Sequence, residues 1–224
     1  MKQKGKLIII EAGDGSGKAT QTRALYDHLI KDGCRVHRVA FPDYGSDSSA
    51  LVRMYLGGSF GAHAEDVNAY AASAFFAVDR YASYQIKWRS FYEAGDIILA
   101  DRYTTSNMVH QAVKLTDDAE RAQFLDWLWN FEFCKMGLPV PDMVVFLDMD
   151  PEVSDRLITE RARRQRQEKD IHEKDRAYLH HCHAAYLSLA EKYGWQRVVC
   201  SAGSEPRAVE DIHADVYRVV RRIL

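Results

Sequence analysis

Residues 6–22, KLIIIEAGDGSGKATQT, constrain the fold more than any other stretch of the chain. Four apolar residues, Leu7 to Ile10, run into a glycine-rich turn, then Lys18, then a helical pattern. Strand, glycine loop, lysine and helix in that order form a cradle for the phosphates of a nucleoside triphosphate. Glycines free backbone N–H groups to face the anion, and the positive end of the following helix adds to the field. Gly13, Gly15, Gly17 and Lys18 match the pattern G-x-x-x-x-G-K-[ST], while Ala12 replaces its first glycine and Ala19 its hydroxyl residue. Ala12 costs little if its φ stays negative, since only a positive φ demands glycine. Ala19 removes the hydroxyl that usually touches Mg²⁺, an ion that keeps much of its hydration shell and can rely on nucleotide and water. Residues Gly13, Gly15, Ser16, Gly17, Lys18, Ala19 and Thr20 are therefore expected to hold ATP, with Lys18 at the β- and γ-phosphates and Thr20 near the α-phosphate.

Downstream, strand patterns recur at residues 35–41, 97–100, 143–147 and 197–200, separated by helical patterns at 64–94, 104–135, 152–167, 171–193 and 206–223. Strands alternating with helices predict a five-stranded parallel sheet covered on both faces, a three-layer αβα fold. Ligands then sit beyond the carboxyl ends of the strands. Four such ends carry polar loops, after Glu11, Phe41, Ala100 and Leu147. With 224 residues, 47% of them hydrophobic, and no linker or repeat, the expectation is a single domain spanning 1–224.

A net charge of −2 argues against a nucleic-acid binder. Cys34, Cys134, Cys182 and Cys200 are scattered without C-x-x-C spacing, as expected for reduced thiols in a cytoplasmic protein. The N-terminal apolar run is too short for a signal peptide, and no segment has the ~18 uncharged residues of a membrane span. His180-His181-Cys182-His183 sits on a helical pattern whose apolar stripe is Leu179, Cys182, Tyr186 and Leu189. That stripe turns Cys182 inward and spreads the histidines over flanking faces, which argues against a four-ligand zinc site.

The third strand ends in Asp101-Arg102-Tyr103. Asp101 can order the waters of Mg²⁺, and Arg102 can fork two N–H groups onto an acceptor phosphate. Together with E-x-x-D-G-S-G-K-x-T-Q at 11–21, F-P-D at 41–43, F-x-x-D-R at 76–80, D-R-Y-x-x-S at 101–106, H-Q at 110–111, L-P-x-P-D at 138–142 and L-D-x-D-P-E at 147–152, the chain resembles thymidylate kinases along nearly its full length. The resemblance implies transfer of the γ-phosphoryl of ATP to dTMP, giving dTDP for dTTP synthesis, in a protein that is commonly a homodimer. It also implies a dTMP site of Asp14 on the 3′-OH, Phe76 stacked on thymine, Arg80 at the base edge, Arg102 on the phosphate, and Phe41, Ser106 and Gln111 around base and sugar. Phe76 and Arg80 share one helix face at spacing i, i+4, and a guanidinium suits the O4 acceptor of thymine. Another nucleoside-monophosphate kinase, or a catalytically silent nucleotide-binding homologue, stays open as an alternative.

Two departures stand out. The arginine that the family carries beside the F-P turn is absent, leaving Arg102, Arg80 or a swinging Arg53 to clamp the acceptor, and His110 stands where the family often has tyrosine. The segment at about 152–170 is basic and falls where such kinases place a lid. Closing lids exclude water and bring arginines to the transferring phosphoryl, so Arg161, Arg163 and Arg164 are the lid candidates. Phe124, Trp127, Leu128 and Phe131 form an aromatic segment that could meet a partner copy or fill the core.

Overall fold

A computed structural model describes residues 4–165 and 176–224, with the side chains of 161–165 outside the described set. Five parallel strands form one sheet in the order β2-β3-β1-β4-β5, with β1 Lys6–Ala12, β2 Val36–Ala40, β3 Ile97–Asp101, β4 Met143–Asp148 and β5 Gln196–Val199. The β1 sequence alternates between two cores. Leu7 and Ile9 join a cluster on one face, and Ile8, Ile10 and Ala12 join a cluster on the other. All five are fully buried, as a central parallel strand requires.

Helices α1 (Lys18–Lys31) and α9 (Val209–Val220) cover the second face. The first face carries α3 (Ala69–Ser83), α5 (Thr104–His110), α6 (Asp118–Trp129) and α8 (Arg176–Tyr193), with α2 (Ala50–Leu56), α4 (Arg89–Glu93) and α7 (Pro151–Gln165) completing the set. Burying one Val- or Leu-sized side chain is worth about 1.5–3 kcal/mol, so these two layers supply the main driving force.

The long pattern at 64–94 resolves into pieces. A short 3₁₀ turn at Ala64–Asp66 precedes Asn68, whose side chain accepts the Ala71 N–H and starts α3 afresh. A π-helical stretch, Tyr84–Trp88, then joins α3 to α4. The pattern at 104–135 is likewise interrupted, because Asp117 caps α6 by accepting from the Glu120 N–H. At the C-terminal end a small hairpin, β6 Ser201–Ala202 with β7 Glu205–Pro206, delays α9 to Val209. Of the aromatic segment, Phe124 and Leu128 are fully buried in the main core, while Trp127 and Phe131 are half-buried.

Register assembles the working edge. Ile10 lies beside Asp101, and Asp101 beside Ala40, so the glycine loop, the Asp-Arg-Tyr run and the Phe-Pro-Asp turn leave the sheet together. Ala12 pairs Leu147, bringing the β4 end and α7 to the same side.

Candidate active site

The glycine loop closes on itself through Ser16, whose hydroxyl donates to the Gly13 carbonyl at 2.8 Å. Gly15 and Gly17 both have φ of 75°, the left-handed region that favours glycine. A Cβ on Gly15 would stand 2.6 Å from the Ser154 carbonyl and 2.8 Å from Ile158 Cγ1, so α7 packs directly on the loop. Ala12 has no positive φ and ends β1 as ordinary strand, which is why alanine serves there. Residues Gly13 to Gln21 line a cleft completed by Met149, Arg207 and Val209. Gln21 ties the floor of that cleft to α9 by donating to the Val209 carbonyl at 2.9 Å.

Two cations of the site are paired with its own carboxylates. Lys18 Nζ bonds Asp101. Burial, then the nearby Arg102 charge, holds the Lys18 amine below its ordinary range, with Asp101 and Glu11 working the other way. Arg102 is the one described non-glycine residue with a left-handed φ, 68°. Its Nη1 faces the Ala12 carbonyl at 3.1 Å, Ser106 Oγ at 3.2 Å, and Glu11 Oε1 and the Tyr186 hydroxyl at 3.3 Å each. Its Nη2 donates to Asp14 Oδ1 at 2.5 Å. Burial opposes that charge, but Asp14, Tyr186 and Glu11 outweigh it and hold the guanidinium well above its ordinary value.

Glu11 carries much of this. It is fully buried at the end of an otherwise apolar strand. It accepts from Thr105, Ser106, Tyr186, Arg102 and the Ala12 N–H. A buried carboxylate without such partners would be costly, so this cluster cements β1, α5 and α8 together. Its signal was visible as the single acid following Leu7 to Ile10.

Beside the loop, a second cleft is lined by Asp14, Pro42, Tyr44, Phe76, Arg102, Ser106, Asn107, His110 and Gln111. It therefore brings together Asp14, Phe76, Arg102, Ser106 and Gln111 of the expected dTMP site. Asn107 and Tyr44 were missed, although Asn107 directly follows the D-R-Y-x-x-S run.

Two of the expected ligands lie outside the lining of this cavity. Phe41 is buried in the core against Tyr103, and its neighbour Pro42 lines the cavity instead. Arg80 does not line the cavity and is only 1% exposed. Its Nε and Nη2 fork onto Glu132 at 2.7 and 2.5 Å, and Thr104 donates to the same carboxylate at 2.6 Å. A buried guanidinium must be paired, and Glu132 supplies the charge from between Phe131 and Phe133. Arg53 is also engaged elsewhere. Its Nη1 donates to the Tyr44 and Ser46 carbonyls at 3.1 and 3.0 Å, holding the loop after β2. Next to the Phe-Pro pair, Asp43 is salt-bridged to Lys87.

Asp148, at the end of β4, accepts from Arg197 Nε at 2.8 Å and lies 2.7 Å from His183 Nε2. Burial raises its pKa, yet these partners hold the carboxyl below its usual range. Cys182 faces the core, and burial pushes the Cys200 thiol up to about 12. The side chains of Arg161, Arg163 and Arg164 lie outside the described residues; the backbone of 161–165 continues α7. Among the described residues, no helix is long and apolar enough to cross a membrane.

Comparison with known proteins identifies the family. A family model described as thymidylate kinase matches residues 10–216. A thymidylate kinase of Mycobacterium tuberculosis is 31% identical over 203 residues, covering 89% of this chain and 93% of the relative. One from Leifsonia xyli is 33% identical over 215 residues, covering 95% and 92%. A solved thymidylate kinase structure from Candida albicans superposes with a TM-score of 0.72 at 22% identity, over 98% of this chain and 92% of that one, which speaks for the fold. The chain belongs to the thymidylate kinase family.

Proposed function

We propose that this protein is a dTMP kinase that moves the γ-phosphoryl of ATP onto dTMP, giving dTDP and ADP. Membership of the family supports the activity. The observation that carries it is a phosphate loop and an acceptor cleft that share Asp14, with Arg102 of the cleft bonded to that aspartate.

Phosphoryl transfer asks for positioning and charge stabilisation, with no covalent intermediate on the enzyme. Backbone N–H groups of Gly13 to Gly17 and the Lys18 ammonium take the donor phosphates, Thr20 the α-phosphate. Asp101, a hard oxygen donor freed as Lys18 turns to phosphate, would hold Mg²⁺ through its waters, where the ion would supply positive charge toward the phosphate oxygens. Arg102 Nη2 exchanges Asp14 for the acceptor phosphate, which releases Asp14 to the sugar 3′-OH. Phe76 stacks on thymine, while Asn107, Gln111 and Ser106 line base and sugar. Arg161, Arg163 and Arg164 act from the lid segment at about 152–170.

A cytoplasmic homodimer fits this reading. Leu51 and Met54 of α2 and Val78 and Tyr81 of α3 expose apolar surface suited to a second copy. The activity is tested by an ATP-coupled panel of dTMP, dUMP, dCMP and AMP. The expected outcome is turnover with dTMP far above the rest. Turnover confined to dCMP or AMP would mean another monophosphate kinase, and binding of ATP without any turnover a silent homologue.

A further inference from the structure

We propose that Tyr186 and His110 form a positioning pair that aims Arg102, so that helix α8 sets the acceptor-phosphate arginine. The inference rests on the dTMP kinase reading above. It begins with the division of labour within one guanidinium. Nη1 of Arg102 is shared among four groups, on Ala12, Ser106, Glu11 and Tyr186. Nη2 meets Asp14, a residue of both the loop and the cavity. Nη1 is thus the anchored end and Nη2 the end presented to an anion. An anchor is needed, because the left-handed region is sterically disfavoured for a residue with a Cβ and Arg102 sits there at φ 68°.

Of the four anchors, Tyr186 alone comes from α8, the helix after the basic segment. Its ring is stacked on Phe146 of β4 with centroids 5.0 Å apart, which fixes the hydroxyl. Four polar atoms crowd that hydroxyl: Glu11 Oε1 at 3.0 Å, the Ala12 carbonyl at 3.1 Å, and Arg102 Nη1 and His110 Nε2 at 3.3 Å each. A hydroxyl has one proton to donate and two lone pairs to offer. Glu11 and Ala12 can only accept and Arg102 can only donate. The proton therefore goes to the carboxylate or the carbonyl, and a His110 Nε2–H donor would fill the remaining lone pair. Nδ1 lies 3.5 Å from both Cys182 Sγ and the Tyr178 hydroxyl.

The Tyr178 hydroxyl donates to the His110 carbonyl at 2.7 Å and holds the backbone. His110 also lines the acceptor cavity. A chain of contacts therefore runs from the cavity wall through His110 and Tyr186 to Arg102. Burial and the Glu11 charge hold the Tyr186 phenol well above its ordinary range, so it stays a neutral donor.

The test uses the purified full chain with ATP and dTMP. Tyr186→Phe keeps the ring and its stacking and removes the hydroxyl. We expect KM for dTMP to rise about 10-fold, with KM for ATP within about twofold of wild type. His110→Leu should do the same, and His110→Gln, which restores an N–H donor, should recover most of the loss. Because the two act as one unit, the double variant Tyr186→Phe/His110→Leu should lose no more than either alone. A wild-type KM for dTMP in Tyr186→Phe, a parallel rise in both KM values, or additive losses in the double variant would each overturn the proposal. Should Tyr186→Phe fail to fold, the contrast between His110→Gln and His110→Leu decides it. If the unmodified chain fails to phosphorylate dTMP, the proposed function falls instead, and the two failures are distinguishable.

Discussion

The donor and acceptor sides of this site are built differently. The donor cradle is one continuous segment, Gly13 to Gln21, whose chemistry is mostly backbone and one lysine. The acceptor cavity draws side chains from the loop after β2, from α3, from the end of β3 and from α5, and it stands on a buried polar layer. In that layer Glu11 and Glu132 are both fully buried. Such layers carry a risk. Each member is inexpensive while every partner is present and costly once one is removed. The donor side should therefore fail in rate before it fails in stability, and the acceptor side in the opposite order.

The largest effect tests the acceptor side. Glu132→Ala leaves the Arg80 guanidinium buried without its carboxylate and removes the Thr104 partner. Breaking a buried pair in this way costs about 3–5 kcal/mol, so the urea midpoint should fall steeply. An unchanged midpoint would show that Arg80 finds another partner and could reach the base after all.

Lys18→Ala tests the donor side. Turnover should drop by on the order of 10²-fold or more as phosphate stabilisation is lost. The midpoint of unfolding should move little, since Lys18 is itself held in unfavourable burial. A large loss of stability with modest loss of rate would erase the contrast.

The smallest effect is a pH slope. Lys114, just past α5, donates to the Tyr55 hydroxyl at 3.0 Å and the Val67 carbonyl at 2.9 Å. Burial depresses its amine from 10.5 to about 8, with Glu65 acting the other way. Between those values the unfolded chain binds the proton that the folded chain has released. Stability therefore rises with pH across about 8 to 10.5, and below that window the cost of the buried charge is constant. Thermal unfolding across the window should show a shallower slope in Lys114→Met than in wild type.

Much of the fold was legible because local pattern and global layer agree. Leu7 to Ile10 can only be a central strand, and Gly15 and Gly17 can only make a loop of that shape. The boundaries that escaped were set by single side chains, such as Asn68 capping α3 where a continuous helix was expected. Arg80 illustrates the limit within the site. Its i, i+4 spacing from Phe76 correctly places both on α3, yet the spacing says nothing of Glu132, which lies 52 residues later. Tyr186 looked like one more apolar stripe residue, since a ring that packs and a hydroxyl that bonds are indistinguishable by periodicity.

By itself, then, the sequence determined the strand order's ingredients, the phosphate cradle and the family, because those depend on contiguous residues and backbone conformation. Tertiary structure decided how each charge is paired. Arg80 is forked onto Glu132, and Arg53 donates to loop carbonyls. Arg102 meets Glu11, Ala12, Ser106 and Tyr186 through Nη1 and Asp14 through Nη2. That choice is made by the cost of burying a charge unpaired, a cost that exists only once distant segments have packed together.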